Sequence, residues 1–246
     1  MSDPSASGGA ASWAALQASH RSIAGNTVRA AVLGANDGLV SNLSLVAGVA
    51  GASLAARTIL ITGLAGLAAG SCAMAMGEWI SVQTSRELYE RELRVEAEEL
   101  HRFPGAETDE LEALYRERGL EPAGARQLAE AVIANRSVAL SVMAREELGI
   151  DPDDLGGSLW KAAASSFLMF CLGAAVPIIP ITVTARTPAL IAAVILSAVV
   201  LFALGAVVTT LTGRSPLRSG VRQLLFGLGA AAITNAIGHL VGSVIS

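Results

Sequence analysis

The sequence predicts an all-α protein that crosses a membrane five times and carries a cytoplasmic three-helix insert between its second and third spans. Three observations lead there. Of the 246 residues, 52% are apolar and only 15% charged, with a mean hydropathy of +0.55, too apolar for a soluble enzyme of this size. The apolar residues gather into five stretches, each near the ~20 residues that a bilayer core requires of a helix. The charge is gathered as well. The formal net charge is −4, yet residues 86–154 hold 18 of the 21 acids and nine Arg, −9 together, while the rest of the chain sums to +5.

Residues 1–27 are rich in Ser, Ala and Gly and lack both the basic start and the apolar core of a signal peptide, so they are expected to be a disordered cytoplasmic tail. Residues 28–85 hold the first two spans: one over 28–52, with Arg29 at its edge and Asp37 inside it, and one from 58 into the 80s, with Glu78 as its only acid. The polar insert occupies 86–157. Residues 158–246 hold the last three spans, over 162–183, 187–212 and 223–245, none of which contains an acid, Lys or Arg. Short cytoplasmic loops are enriched in basic residues, and Arg21, Arg29, Arg86, Lys161, Arg214, Arg218 and Arg222 share one side, against Arg57 and Arg186 on the other. The N-terminus and the insert are therefore expected in the cytoplasm. One Lys against sixteen Arg, with abundant Ala, points to a GC-rich bacterial genome and so to a bacterial cytoplasmic (inner) membrane.

Between Glu78 and Phe103 there is no Gly or Pro, so the second helix should run on unbroken until Pro104-Gly105. A short helix over 108–118 follows, with Thr108 as N-cap and Leu111 and Leu114 as its apolar stripe. Gly119 stops it. Pro122 suits the first turn of a third helix over 123–148, ended by Gly149. Cys72 and Cys171 lie inside apolar runs and read as small buried hydrophobes, not as a disulfide or a thiolate cluster.

The acids of the insert divide into two sets. Glu87, Glu90 and Glu98 each have an Arg four residues on, an ordinary solvated face. Glu92, Glu96 and Glu99 fall within about 60° of one another at helical spacing, and the residue four beyond Glu92 is another Glu. Such stacking of like charge costs a few tenths of a kcal/mol per pair. Glu107 and Glu110 repeat the pairing, and Met143, Glu146 and Glu147 cluster at i, i+3 and i+4. Oxygen ligands with one thioether suit a divalent metal of borderline softness. A merely acidic solvated domain stays open as the other reading. Glu98-x-x-His101 is half of a di-iron signature, but no second copy exists, which disfavours a membrane ferroxidase.

An ionisable group inside a span is costly and marks a functional site by default. Asp37 begins a small and polar stripe with Ser41, Ser44, Gly48 and Gly51, which fits close helix packing within the chain or between copies. Met74 and Glu78, at i and i+4, face one way, while Met76 points elsewhere. A carboxylate partly removed from water can hold a proton when no metal is bound and give it up to a cation, which is a physical route to metal/proton exchange.

Ala-Val-Leu-Gly-Ala-Asn-Asp-Gly-Leu-Val-Ser at 31–41 and Ala-Gly-Ser-Cys-Ala-Met-Ala-Met-Gly-Glu at 69–78 closely resemble the vacuolar iron transporter family. The resemblance covers nearly the whole chain in order. It implies an iron(II)/proton antiporter, not an enzyme, that works as a homodimer with its pathway at the dimer interface and a cytoplasmic metal-binding domain. It implies that Asp37 and Met74 are the intramembrane transport residues, with Glu78 in the same motif, and that Glu96, Glu99, Glu107, Glu110, Met143 and Glu147 are metal ligands of the insert. Glu92 and Glu146 join that set from periodicity alone. The family's plant members have a second Met where this chain has Ala144, which bears on metal preference. No cofactor is expected to be permanently bound. The expected cargo is Fe2+, with Mn2+, Co2+ and Zn2+ as further candidates, and the expected partners are divalent metal ions, protons, the lipid bilayer and a second copy, with no nucleic acid. The rival readings are a membrane-anchored metal buffer or sensor without transport, and an Mn2+ exporter.

Overall fold

The computed structural model describes residues 26–183, 186–213 and 215–245. The expected tail through residue 25, with His20 and Arg21, lies outside the described residues, as does Arg214. Eight helices follow in order: α1 (Asn26–Gly51), α2 (Ala56–Arg102), α3 (Pro104–Glu117), α4 (Pro122–Ala134), α5 (Arg136–Glu146), α6 (Leu159–Val183), α7 (Arg186–Thr212) and α8 (Pro216–Ile245). The described residues contain no strand. Five of the helices, α1, α2, α6, α7 and α8, are long and apolar enough to cross a bilayer, and the chain is a multi-pass membrane protein. It divides into two compact units: Ser81–Gly157, and the described residues on either side of that segment.

In the membrane unit α1 is central and packs most extensively on α6, then on α8 and α7. Glycine makes this possible. A methyl at Gly34 or Gly38 would collide with the backbone of Ser166 or Phe170 on α6, and Gly173 of α6 is pressed in return against Ala35. On the other side Gly51 meets Asn235, and Gly238 of α8 meets Gly48 backbone to backbone. Between apolar helices in lipid, such close approach supplies the dispersion contact that a hydrophobic effect supplies in water. Polar groups staple the same seams. The Asn235 amide donates to the Ala47 carbonyl at 2.8 Å, and Gln223 of α8 donates to the Asn36 side chain. The Gly48 and Gly51 end of the polar stripe is thus spent inside the chain. Around these seams lie Leu39, Leu43, Leu201 and Ala231 in one cluster and Val46, Ile59, Ile181 and Ala189 in another.

The span of α2 makes few close backbone approaches to the other helices. It meets them through side chains, Gly63 against Ile178, Gly66 against Leu45 and Gly70 against the Phe170 ring. Cys72 is exposed on this helix instead of buried, because its face of α2 is uncovered. Trp79 and Trp160 rest against each other with ring centroids 6.4 Å apart. Pro177 and Pro180 are buried within α6, and each lacks the amide hydrogen that would bond the carbonyl four residues earlier. Helix α8 starts at Pro216, before the apolar stretch that begins at 223, since proline suits a first turn and the polar turns bearing Arg218 and Arg222 remain helical.

The polar unit has its own core of Leu111, Tyr115, Ala125, Ala129 and Met143. Two boundaries differ from the sequence reading. Helix α3 begins at Pro104, and Thr108, inside it, returns its hydroxyl to the Pro104 carbonyl at 2.7 Å instead of capping. The single helix expected over 123–148 is two, broken at Asn135 with φ −95° and ψ 85°. Asparagine favours such breaks because its side chain competes for nearby backbone groups. Four helical segments, counting the end of α2, therefore build the insert in place of three. Arg126 ties α3 to α4 through Asp109 and Glu112, and Arg86 donates to the Gly157 carbonyl at 2.9 Å, joining the two ends of the unit.

The glycine seams give a direct test. Gly38→Ala should cost at least the ~1–3 kcal/mol typical of overpacking and lower the thermal midpoint of the purified protein. Gly229→Ala, inside α8 where a methyl meets open space, should leave it unchanged or slightly raised. Equal midpoints for the two variants would show that the α1–α6 approach is not tight.

Candidate functional site

Two groups of chemistry-bearing residues are brought together, one in each unit. In the membrane unit a cavity of about 470 Å³ is lined by Asp37, Ser41 and Asn42 of α1, Met74 and Glu78 of α2, and Phe170 of α6. The spacing of four residues places Met74 and Glu78 on one face, and the small residues Gly66, Gly70, Ala73 and Gly77 leave that face of α2 hollow. Asp37 is exposed on α1, and the Ser41 hydroxyl bonds back to its carbonyl at 2.5 Å. Glu78 is buried at 8% exposure and accepts a hydrogen bond from Arg29 at 3.3 Å, the arginine being 54% exposed. Met76 is 64% exposed and takes no part.

Neither Arg29 nor Asn42 was read as a site residue from the sequence. For Arg29, read from the sequence as a marker of topology, the signal is the lone acid Glu78 in the neighbouring span, which calls for a counter-charge. For Asn42 the signal in the sequence is an amide within an apolar span, which must find partners for both its ends.

In the polar unit Glu96 from the end of α2, Glu107 from the first turn of α3 and Glu147 just beyond α5 each place a carboxylate oxygen within 4.8 Å of the others. Glu96 and Glu107 are buried, and Glu147 is exposed. One oxygen of Glu96 is buried without any hydrogen-bond partner. Burial, and then the charges of Glu147, Glu107, Glu99 and Glu110, push the Glu96 carboxyl up to about 7. Burial first, then Glu110 and Glu99, raise Glu107. Glu147 rises through burial, then Glu110 and Glu107, with Glu110 within hydrogen-bond reach of it. Three acids converging without an arginine among them suit a divalent cation with oxygen ligands.

The other insert residues fall around this triad in different ways. Glu99 and Glu110 are exposed and act on it through charge. Met143 is fully buried in the apolar core, one turn before Glu147, whose amide donates to the Met143 carbonyl at 2.9 Å. Ala144 beside it is fully buried as well. Glu146 pairs with Arg118, and Glu92 is exposed outside the triad. Periodicity grouped Glu92, Glu96 and Glu99 on one face, but only Glu96 reaches the interior.

A sequence model of the VIT family matches residues 28–239, a stretch that includes both groups. The chain belongs to the VIT family. Among its VIT relatives, Vacuolar iron transporter 1 of Arabidopsis thaliana is 29% identical over 219 residues, covering 89% of this chain and 87% of that protein. Vacuolar iron transporter 1 of Oryza sativa subsp. japonica is 30% identical over 209 residues, covering 85% and 82%. The Vacuolar iron transporter of Acanthamoeba castellanii is 35% identical over 224 residues, covering 90% and 82%. Membership in the VIT family is what the motifs at 31–41 and 69–78 led one to expect.

The raised carboxyls carry a pH prediction. A folded value of about 7 for Glu96 against an ordinary 4.5 means that the native state holds more protons than the unfolded state across that window. The metal-free protein therefore loses stability as pH rises through it. A divalent cation replaces the lost protons. Mn2+ or Co2+ should raise the thermal midpoint of the purified full-length protein more at about pH 8 than at about pH 6, and Glu96→Gln should remove most of that rise. A shift independent of pH and of Glu96 would place metal binding elsewhere.

Proposed function

We propose that this chain is a homodimeric transporter that moves Fe2+ out of the cytoplasm in exchange for protons, and that its acidic insert collects the metal. The observation that carries the reading is the convergence of Asp37, Met74 and Glu78 on one cavity in the membrane unit. Carboxylate oxygen with a thioether matches a divalent ion of borderline softness. Asp37 can hold a metal or a proton but not both, which couples the two fluxes. The VIT relatives named as vacuolar iron transporters support Fe2+ as the cargo. In the insert, the triad of Glu96, Glu107 and Glu147 is the proposed collecting site, with Glu99, Glu110 and Met143 beside it.

The remaining parts of the proposal rest on other features. The excess of basic residues on one side of the spans supports a cytoplasmic N-terminus and insert, and the Arg-rich composition supports a bacterial cytoplasmic membrane. A second copy accounts for the uncovered apolar face of α2, where Ile61 and Leu64 are 56% and 51% exposed. The rival reading as a buffer or sensor is favoured by the triad alone, since metal binding there asks nothing of the membrane unit.

Reconstituted proteoliposomes with an imposed proton gradient distinguish these. Wild-type protein should move Fe2+, with Mn2+, Co2+ and Zn2+ compared in the same assay, and Asp37→Asn should reduce flux to that of protein-free vesicles. Wild-type flux retained by Asp37→Asn would refute the coupling. Metal binding without flux in the wild type would select the buffer.

A further inference from the structure

We propose that the side-chain carbonyl of Asn42 is a metal ligand in the α1–α2 cavity, serving the cation at a depth different from Asp37. The inference rests on the transport reading and adds a residue to it. Asn42 lines the same cavity as Asp37, Met74 and Glu78 and is 2% exposed. It lies five residues beyond Asp37, roughly 7.5 Å along the helix axis at 1.5 Å per residue. An ion leaving Asp37 in that direction would otherwise meet the hollow wall made by Gly66 and Gly70.

The amide has one orientation. Its Nδ2 donates to the Ala174 carbonyl of α6 at 2.6 Å, and exchanging nitrogen and oxygen would set two acceptors against each other. Oδ1 therefore points away from α6. It faces α2 at Gly66, where a Cβ would lie 3.1 Å from it. Oδ1 is buried and accepts no hydrogen bond. The α2 residues across from it on the cavity wall, Gly66, Gly70 and Ala73, carry no side-chain donor, and the hydroxyl of Ser71 is engaged with the Ala68 carbonyl at 3.1 Å. A buried acceptor in this state is costly, and in an apolar span it has no bulk water to turn to.

A cation satisfies it. An amide carbonyl is a neutral oxygen ligand that a divalent cation such as Mn2+ or Fe2+ accepts alongside carboxylate oxygens. It adds no charge to a cavity that already holds two carboxylates. Gly66 fits the same role, since any donor there would close off the oxygen.

The test is Fe2+ flux in proteoliposomes, read as kcat/KM, for Asn42→Leu, Asn42→Asp, Gly66→Ser and Gly66→Ala. Asn42→Leu keeps the bulk and loses the oxygen, and should lower kcat/KM by about tenfold or more, the loss expected for one contact to a charged group. Asn42→Asp keeps an oxygen toward α2 but sets its other oxygen against the Ala174 carbonyl and adds a charge to the cavity, so it should fall below wild type yet retain a clearly higher kcat/KM than Asn42→Leu. Gly66→Ser offers a hydroxyl to Oδ1 and should lower kcat/KM more than Gly66→Ala, which adds the same crowding without a donor. Asn42→Leu at wild-type kcat/KM, or Asn42→Asp as impaired as Asn42→Leu, would mark a purely structural amide and overturn the inference. Should the Asn42 variants fail to fold, Gly66→Ser indistinguishable from Gly66→Ala overturns it. A wild type that moves no Fe2+ removes the transport reading itself, a failure distinct from these.

Discussion

The backbone-to-backbone approach of α1 to its neighbours is the constraint from which the membrane unit follows. Gly34 and Gly38 admit α6 on one side, and Gly48 and Gly51 admit α8 on the other. On the face of α1 that these neighbours leave open, Asp37, Ser41 and Asn42 all line the cavity. The seam also places Phe170, whose backbone presses on Gly38 and whose ring presses on Gly70 of α2. Small residues in the first span thus do two things at once. They supply close packing, and they fix the rotation of the helix that bears the carboxylate.

The two sites solve opposite electrostatic problems. In the cavity a buried acid, Glu78, is given an arginine. In the polar unit three acids are brought together with none, and the cost appears as carboxyls that hold their protons to unusually high pH. Like charges assembled against their repulsion are compensated by a held proton or by a cation, whereas the exposed pairs of the same unit, such as Glu98 with Arg102, need nothing further. The contrast within one small unit separates acids that face solvent from acids that face each other.

Much of this was legible in the residues themselves. Five apolar stretches and one charged block gave the spans and the insert, because hydropathy over ~20 residues is a strong signal in a bilayer. The motif residues at 31–41 and 69–78 gave the family. Local rules failed where tertiary contacts decide. The break at Asn135 splits a segment whose composition is helical throughout, and Thr108 has the chemistry of a cap but sits one turn inside a helix that Pro104 starts. Helical periodicity placed Glu92, Glu96 and Glu99 together, but which of them turns inward depends on helices distant in sequence. Spacing groups Glu146 with the ligand candidates, and its ion pair with Arg118, 28 residues earlier, is a tertiary contact that spacing does not reveal. A lone acid in a span calls for a counter-charge, but which residue supplies it, 49 residues away on another helix for Glu78, is set by the tertiary packing.

The pairing of Arg29 with Glu78 bears on how the cavity tolerates a buried carboxylate. A lone carboxylate there would be a deep electrostatic well, attractive to any passing monovalent ion and expensive to leave bare in a low-dielectric slab. With the Arg29 guanidinium hydrogen-bonded to the carboxylate at 3.3 Å, the well is filled by a cation that cannot diffuse away. A divalent ion can win the carboxylate because it brings twice the charge at closer range, whereas Na+ or K+ competes with an equal charge that is covalently anchored beside it. Under the transport reading the arginine would be a resident placeholder, setting a threshold that favours multivalent visitors before any ligand geometry is consulted.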